Sequence, residues 1–460
     1  MRGRKRLGVF SLVVLASLML GLVGCGGSTP PPAPTAAPPA PAKAAAPAAP
    51  APTTAAPAAA APTTAAAPAA AAPATGAPIK IGFFVGLTGA FAAAAADMRD
   101  GLMLYLEQHG NSLGGHPVSV VVEDTASDPA TALQKARKLV EQDNVNLLMG
   151  PLTAAEAYAA AGFATTNKII DWMPVPSADD LTQRQTSPYV IRSGWTSSQP
   201  SHPFADYVYN KLGYKKIFAV GMDYAFGYEV VGGFQQRFED LGGKIVKKIW
   251  TPIGQPDYGA TMAQIPTDVD AVFALMAGGD GTRFIPAYAQ YGLKGKIPLI
   301  GGGTLTDENV IRSLANPNDA VGIITPLHYS QALQTPEAQA FIKAFESKYN
   351  KLASYYAENT YSAALELDAV LKAVGADYKD PAKVQTAYKA LKITVPRGPI
   401  TIDDYGNPIQ NIYIRKTELV NGKLQNTVID TIPSVSQFGP YDPKTFLAHP
   451  VYSRDYPPVR

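Results

Sequence analysis

The stretch IKIGFFVGLTGAFA (79–92) decides how the chain is read. Its first seven residues form an apolar, β-rich run, and a glycine-bearing loop leads on to helix-like MRDGLMLYLEQHG (98–110). The pattern then repeats. HPVSVVVED (116–124) reads as a strand and DPATALQKARKLVEQ (128–142) as a helix, with Asp128 and Pro129 at its start, where proline sits in the first turn without loss. VNLLMG (145–150) is the next strand and a helix follows from Thr153, after which IIDWMPVP (169–176) and YVIR (189–192) continue the series. Strand–helix alternation with short apolar strands predicts a parallel sheet covered on both faces.

A second alternation begins near Gln199. FADYVYNKLG (204–213), VVGGFQQRFEDLGG (230–243) and IPAYAQYGL (285–293) read as helices; KKIFAVGM (215–222), KIVKKIW (244–250), AVFALMAG (271–278) and IPLIGGG (297–303) read as strands. The expectation is an α/β fold of two doubly wound parallel-sheet lobes in series, which suits a length of 460 residues. Ligands on such sheets bind beyond the carboxyl ends of the strands. Between the first strand and first helix of the second lobe stands DYAFGYE (223–229), which crowds three rings and two acids into one turn.

The N-terminus sets the compartment. Basic MRGRKR precedes the apolar LGVFSLVVLASLML, which is too short to span a bilayer comfortably. Leu22-Val23-Gly24-Cys25 then resembles the bacterial lipoprotein signal, and Cys25 is the sole cysteine, so no intrachain disulfide can form. Residues 1–24 are expected to be a signal peptide, with Cys25 lipidated; the competing reading is an uncleaved membrane anchor. Residues 25–78 are almost wholly Ala, Pro, Thr, Gly and Ser, a linker that favours extended polyproline II and builds no core. With 39 basic and 37 acidic side chains the chain is nearly neutral, and losing Arg2, Arg4, Lys5 and Arg6 with the leader leaves 35 basic side chains, a balance of −2. No nucleic-acid surface follows from that.

The order and spacing of the motifs from 79 to about 415 resemble the Leu/Ile/Val-binding branch of the type I periplasmic binding proteins. The match runs through LGYKKIFAVGMDYAFGYE and DAVFALMAGGDGTRFIPAYAQYGL to GPITIDDYGNP near 398. The resemblance implies lobes joined by three crossovers near 193–200, 322–330 and 395–402. Lobe I would be 79–195 with 327–394, lobe II 196–326 with 395–435, and 436–460 a tail on the surface. It further implies a monomer that clamps a small-molecule ligand and delivers it to an ABC permease, without a cofactor and outside the cytoplasm.

The family's ligand loops fall on Leu152, Thr153 and Ala154 and on Val175 and Ser177. Thr153 with Glu156 also fits a capping box, and free N–H groups at a helix start attract a carboxylate. Where the amino-acid binders place acids for an α-ammonium, this chain has Trp195 at the first crossover and Gly303 in the second lobe, and an aromatic of those binders falls on Ala277. A buried ammonium without an anionic partner is costly. Rings stand instead at Phe91, Trp195, Tyr224 and Phe226, and DYAFGYE followed by GGF is similar to the subgroup that binds benzoate- or cinnamate-type acids. The expected ligand is therefore an aromatic or other carboxylate. A branched-chain or other amino acid is the alternative, and for each ring the competing role is core packing. Glu229 and Asp223 read as a helix-dipole acid and a hinge-side or capping acid, and Arg283 and Arg99 as solvated.

Other chemistry is weakly signalled. Five histidines show no metal spacing, GGGT (301–304) lacks the phosphate-loop Lys-Ser/Thr, and no G-x-S-x-G elbow occurs. The expectation is a solute receptor and not an enzyme, with a ligand sensor or an extracytoplasmic hydrolase as the competing classes.

Overall fold

The computed structural model describes residues 75–459. The leader, Cys25 and nearly all of the linker lie outside these described residues. The chain opens with β1 (Ile79–Val85), α1 (Ala92–Gln108), β2 (Ser112–Leu113), β3 (His116–Asp124), α2 (Pro129–Glu141), β4 (Leu147–Met149), α3 (Ala154–Asn167), β5 (Asp171–Met173) and β6 (Val190–Arg192). These strands form one sheet in the order β2-β3-β1-β4-β5-β6, parallel except for the β2–β3 pair. Its centre is β1, where Ile79, Ile81, Phe83, Phe84 and Val85 are fully buried, as a strand covered on both faces should be.

The chain then enters the second lobe with α4 (Ser201–Asn210), β7 (Lys216–Met222), α5 (Ala225–Asp240), β8 (Lys244–Thr251), α6 (Gly259–Met262), β9 (Ala271–Leu275), α7 (Gly279–Gln290), β10 (Leu299–Gly301), α8 (Glu308–Ile311) and β11 (Ile324–Leu327). It returns to the first lobe for α9 (Pro336–Tyr349), α10 (Tyr355–Val374) and α11 (Pro381–Lys389), with α10 lying along α1. It crosses once more to β12 (Lys392–Val395), β13 (Gly398–Ile402), β14 (Pro408–Val420) and β15 (Lys423–Val435), and ends with α12 (Pro443–Ala448). The second sheet runs β12-β13-β14-β11-β10-β9-β7-β8, with β15 on β14.

Local chemistry sets several of these boundaries. Helices α2, α9, α11 and α12 each begin with a Pro preceded by a capping Asp or Thr; Asp128 accepts from Thr131 N at 2.8 Å. These caps supply acceptors to otherwise unpaired N–H groups. Four helices start earlier than their apolar periodicity suggests: α1 at Ala92, α4 at Ser201, α5 at Ala225 and α7 at Gly279. In α1, α5 and α7 an alanine run and glycine-rich turns carry no 3.6-residue pattern, so the sequence hides those first turns. Most of DYAFGYE is thus helix. The long β14–β15 hairpin turns at Asn421-Gly422, both at positive φ, the pair such turns favour.

Two connections are pinned by buried ions. Arg397, after β12, reaches Glu358 at 3.3 Å, Glu366 at 3.2 Å and the Ser193 carbonyl at 2.8 Å, tying the third crossing to the first. The tail crosses from one lobe to the other. Arg184 donates to the carbonyls of Phe446, Leu447 and His449, while Trp250 donates to Arg454 O at 3.1 Å.

Candidate functional site

The sheet orders locate the site. In the first lobe β1 lies between β3 and β4, and in the second β7 lies between β8 and β9. Each is a point where strand order reverses, so loops diverge beyond the strands' carboxyl ends and leave a crevice. The two crevices face each other. Phe91 follows β1, Leu152, Thr153 and Ala154 follow β4, and Val175 and Ser177 follow β5; opposite them stand Tyr224 and Phe226 after β7 and Ala277 after β9. All nine line one nearly filled cavity of about 20 Å³, together with Tyr355 and Tyr356 from the start of α10. The lobes are drawn together over it: Gly279 N donates to Ala90 O across the gap.

Five of the eleven lining residues are aromatic. Phe91 and Tyr224 have ring centroids 6.5 Å apart, Tyr224 and Phe226 6.0 Å, and Tyr355 and Tyr356 4.0 Å. Offset and tilted rings at these spacings suit a flat ligand ring. Gly227 keeps Phe226 in place for a steric reason. Its backbone is ordinary helix, but a Cβ there would meet Met222 O at 1.9 Å, so only glycine lets α5 start this close to β7.

The polar end is built from α3. Thr153 caps the helix, accepting from Glu156 N at 3.2 Å, while Glu156 accepts from Thr153 N at 2.8 Å and from the Thr125 hydroxyl. The capping box is therefore present, at a helix start that borders the cavity through Thr153 and Ala154. Ser177 meets Ser197 of the first crossover at 2.9 Å between hydroxyls. None of the lining residues carries a charge. The phenols of Tyr224, Tyr355 and Tyr356 are pushed far upward by burial and stay neutral donors.

Two expected positions lie elsewhere. Trp195 is buried one layer back, edge-on to Phe226 at 5.8 Å and to Tyr355 at 5.8 Å, with His328 at 5.1 Å. It backs the wall instead of lining it, because the crossover passes behind the loops. Gly303 faces β11: its carbonyl accepts from Arg415 at 2.7 Å, and a Cβ would meet Pro326 O at 2.4 Å. Tyr355 and Tyr356 gave no such signal in the sequence, since they lie far along the chain from the other lining residues; only the Ser-Tyr-Tyr helix start marks them.

The remaining expectations resolve in turn. Arg283 bonds Asp280 at 2.6 Å and Gln255 O at 2.8 Å, and Arg99 pairs with Asp100. Asp223 holds Tyr228 and Arg454. Glu229 is not the solvated dipole acid its position suggests: it is buried, with Ser197 Oγ at 2.6 Å and Tyr158 OH at 3.0 Å.

Two α/β lobes shut over a small, ring-walled cavity are the architecture of a receptor that traps a solute. The family profile described as "Periplasmic binding protein" matches residues 78–423, and the chain belongs to that family. It is a solute-binding protein of the ABC-transporter type, extracytoplasmic as its family is. A relative in Brucella abortus (strain 2308), Leu/Ile/Val-binding protein homolog 6, is 31% identical over 361 residues, which cover 77% of this chain and 91% of the relative. Two solved solute-binding proteins of ABC transporters from Rhodopseudomonas palustris are similar throughout. One, from strain BisB5 in complex with 3,4-dihydroxybenzoic acid, is 30% identical with a TM-score of 0.74, covering 78% of this chain and 98% of its own. The other, in complex with benzoate, is 32% identical with a TM-score of 0.73, covering 78% and 97%. Proteins of this family bind solutes and do not transform them.

Proposed function

We propose that this chain is the lipid-anchored, monomeric receptor of an ABC importer for a small aromatic carboxylate. Lipid on Cys25 would hold it to the membrane, and the lobes (79–195 with 327–394, and 196–326 with 395–435) would shut on the ligand before delivery to the permease. The observation that carries this reading is the cavity: rings from three segments, no charged lining residue, and a helix start at one end. As shut here the cavity holds only about 20 Å³, room for little more than a water, so even a one-ring ligand requires the ring walls to move apart. The carboxylate would lie at the N-terminus of α3 with Thr153 and Ser177, and the ring among Phe91, Tyr224 and Phe226. The benzoate-class ligands of the two Rhodopseudomonas palustris proteins support this choice.

Magnitudes agree. Burying ~120 Å² of ring contributes about 3 kcal/mol, and each charge-assisted hydrogen bond about 1.5–3 kcal/mol. Two or three such bonds bring the total to the ~8 kcal/mol of a micromolar complex. A free amino acid would bury an ammonium with no acid among the lining residues, at a cost of several kcal/mol. The name of the Brucella abortus relative favours a branched-chain amino acid as the second reading.

A thermal-shift panel separates the two. Benzoate, 4-hydroxybenzoate and 3,4-dihydroxybenzoate should raise Tm by a few degrees at ~100-fold excess over Kd. Leucine, isoleucine and valine should not. A rise with the amino acids and none with the benzoates would overturn the assignment.

A further inference from the structure

Behind the cavity, Ser177, Ser197, Glu229 and Tyr158 form a buried chain of hydroxyls and one carboxyl. Ser177 lines the cavity, Ser197 lies in the first crossover, Glu229 comes from α5 of the second lobe, and Tyr158 from α3 of the first. The Ser197 hydroxyl oxygen lies within hydrogen-bond distance of three oxygens: Glu229 Oε2 at 2.6 Å, Ser177 O at 2.8 Å and Ser177 Oγ at 2.9 Å. Three contacts need three hydrogens. Ser177 and Ser197 own one each, and the Ser177 carbonyl can only accept. An ionised Glu229 can only accept as well, so one contact would be left without a hydrogen. A proton on Glu229 completes the set: Glu229 donates to Ser197, Ser197 to the Ser177 carbonyl, and Ser177 keeps its own hydrogen for Ser197 or for a ligand.

We propose that Glu229 carries a proton when the lobes are shut and gives it up when they part, so that closure, and with it ligand binding, takes up one proton. Glu229 is a positioning residue here, acting on the ligand through Ser197 and Ser177. The coupling to a carboxylate ligand rests on the function proposed above; the proton itself does not.

The groups around Glu229 agree. From the turn 179–182, Asp179 is buried with one oxygen unpartnered, and Asp180 is paired with Arg184 at 2.7 Å. From β6, Arg192 is fully buried and donates to the Asp179 carbonyl and Thr182 rather than to a carboxylate. Tyr158, Tyr224 and, from the tail, Tyr452 and His449 also stand around it, and the Asp179 backbone N–H donates to the Glu229 carboxyl. One buried cation facing Asp179 and Glu229 balances one charge, which leaves the other acid to hold a proton. Burial and the neighbouring Asp179 push the Glu229 carboxyl well above its ordinary range, and burial pushes Asp179 up to about 6. The sign follows. An acid whose value is raised in the shut form costs that form nothing below the ordinary glutamate value. Above it, the shut form weakens by up to tenfold per pH unit until its own raised value is reached.

The test compares wild type with Glu229→Gln, the neutral isostere, and with Glu229→Met in case the amide does not fold. Tm is followed with and without saturating benzoate from pH 5 to 8, and benzoate is titrated calorimetrically at pH 7 in buffers of different ionisation enthalpy. With benzoate bound, wild type should lose Tm relative to either variant as pH rises. It should also take up close to one proton per benzoate bound, and the variants none. Benzoate binding without proton uptake, with parallel Tm curves in its presence, would overturn the proposal. Diverging curves with no benzoate binding would keep the proton on Glu229 and remove the aromatic-acid reading.

Discussion

Phe226 shows what a single residue can tell. In the sequence it is one ring among three, with the cleft and the core as equal destinations. In the structure it is 6% exposed, lines the cavity and leans on Trp195. Both roles hold at once, since a wall needs backing. Phe226→Ala removes ring contacts from both, and the expected result is a Kd raised at least tenfold, by calorimetry, with a Tm loss of only a few degrees. That Phe91 and Tyr224 stand beside the cavity was legible because they follow β-rich runs in a doubly wound pattern. Trp195 and Gly303 were misplaced because a family position fixes the place of a backbone, not the direction in which a side chain points. Tyr355 and Tyr356 were missed since nothing local to them speaks of a cleft formed by distant loops.

Elements were more legible than residues. Alternation of apolar strands and amphipathic helices gave two parallel sheets, because burial on both faces imposes a visible pattern. What escaped was structure without that pattern: the alanine start of α1, the glycine starts of α5 and α7, and the antiparallel β12–β15 segment. That segment has half-exposed strands, with only Asn421-Gly422 as a cue. Helix α3 is where element and function meet. Its cap, Thr153, stabilises the helix and stands at the polar end of the cavity. Thr153→Ala should cost about 1 kcal/mol of stability in denaturant unfolding and weaken ligand binding several-fold, whereas Thr153→Ser should restore both. Loss of stability with unchanged affinity would make Thr153 a cap alone.

At the scale of the whole molecule, the function proposed above is a hinge motion, in which affinity depends on whatever holds the lobes together as well as on the ligand's own contacts. Arg312, just after α8 in the second lobe, reaches Asp97 of α1 at 2.9 Å and Leu352 O at 2.9 Å. Asp97 is fully buried and keeps Lys351 at 2.7 Å and Ser354 at 2.6 Å if Arg312 is lost. The ion pair therefore contributes modestly, about 1 kcal/mol to closure. Arg312→Ala should raise Kd about fivefold through a faster off-rate, with the on-rate unchanged, as read by stopped-flow fluorescence. The central claim, an aromatic carboxylate held between neutral walls, is tested most directly by calorimetric titration of the chain with benzoate and with leucine under the same conditions. The account predicts one-to-one binding of benzoate at micromolar or lower Kd, weakened at least tenfold by Phe226→Ala, and no heat from leucine. Tight leucine binding with silent benzoate would contradict it.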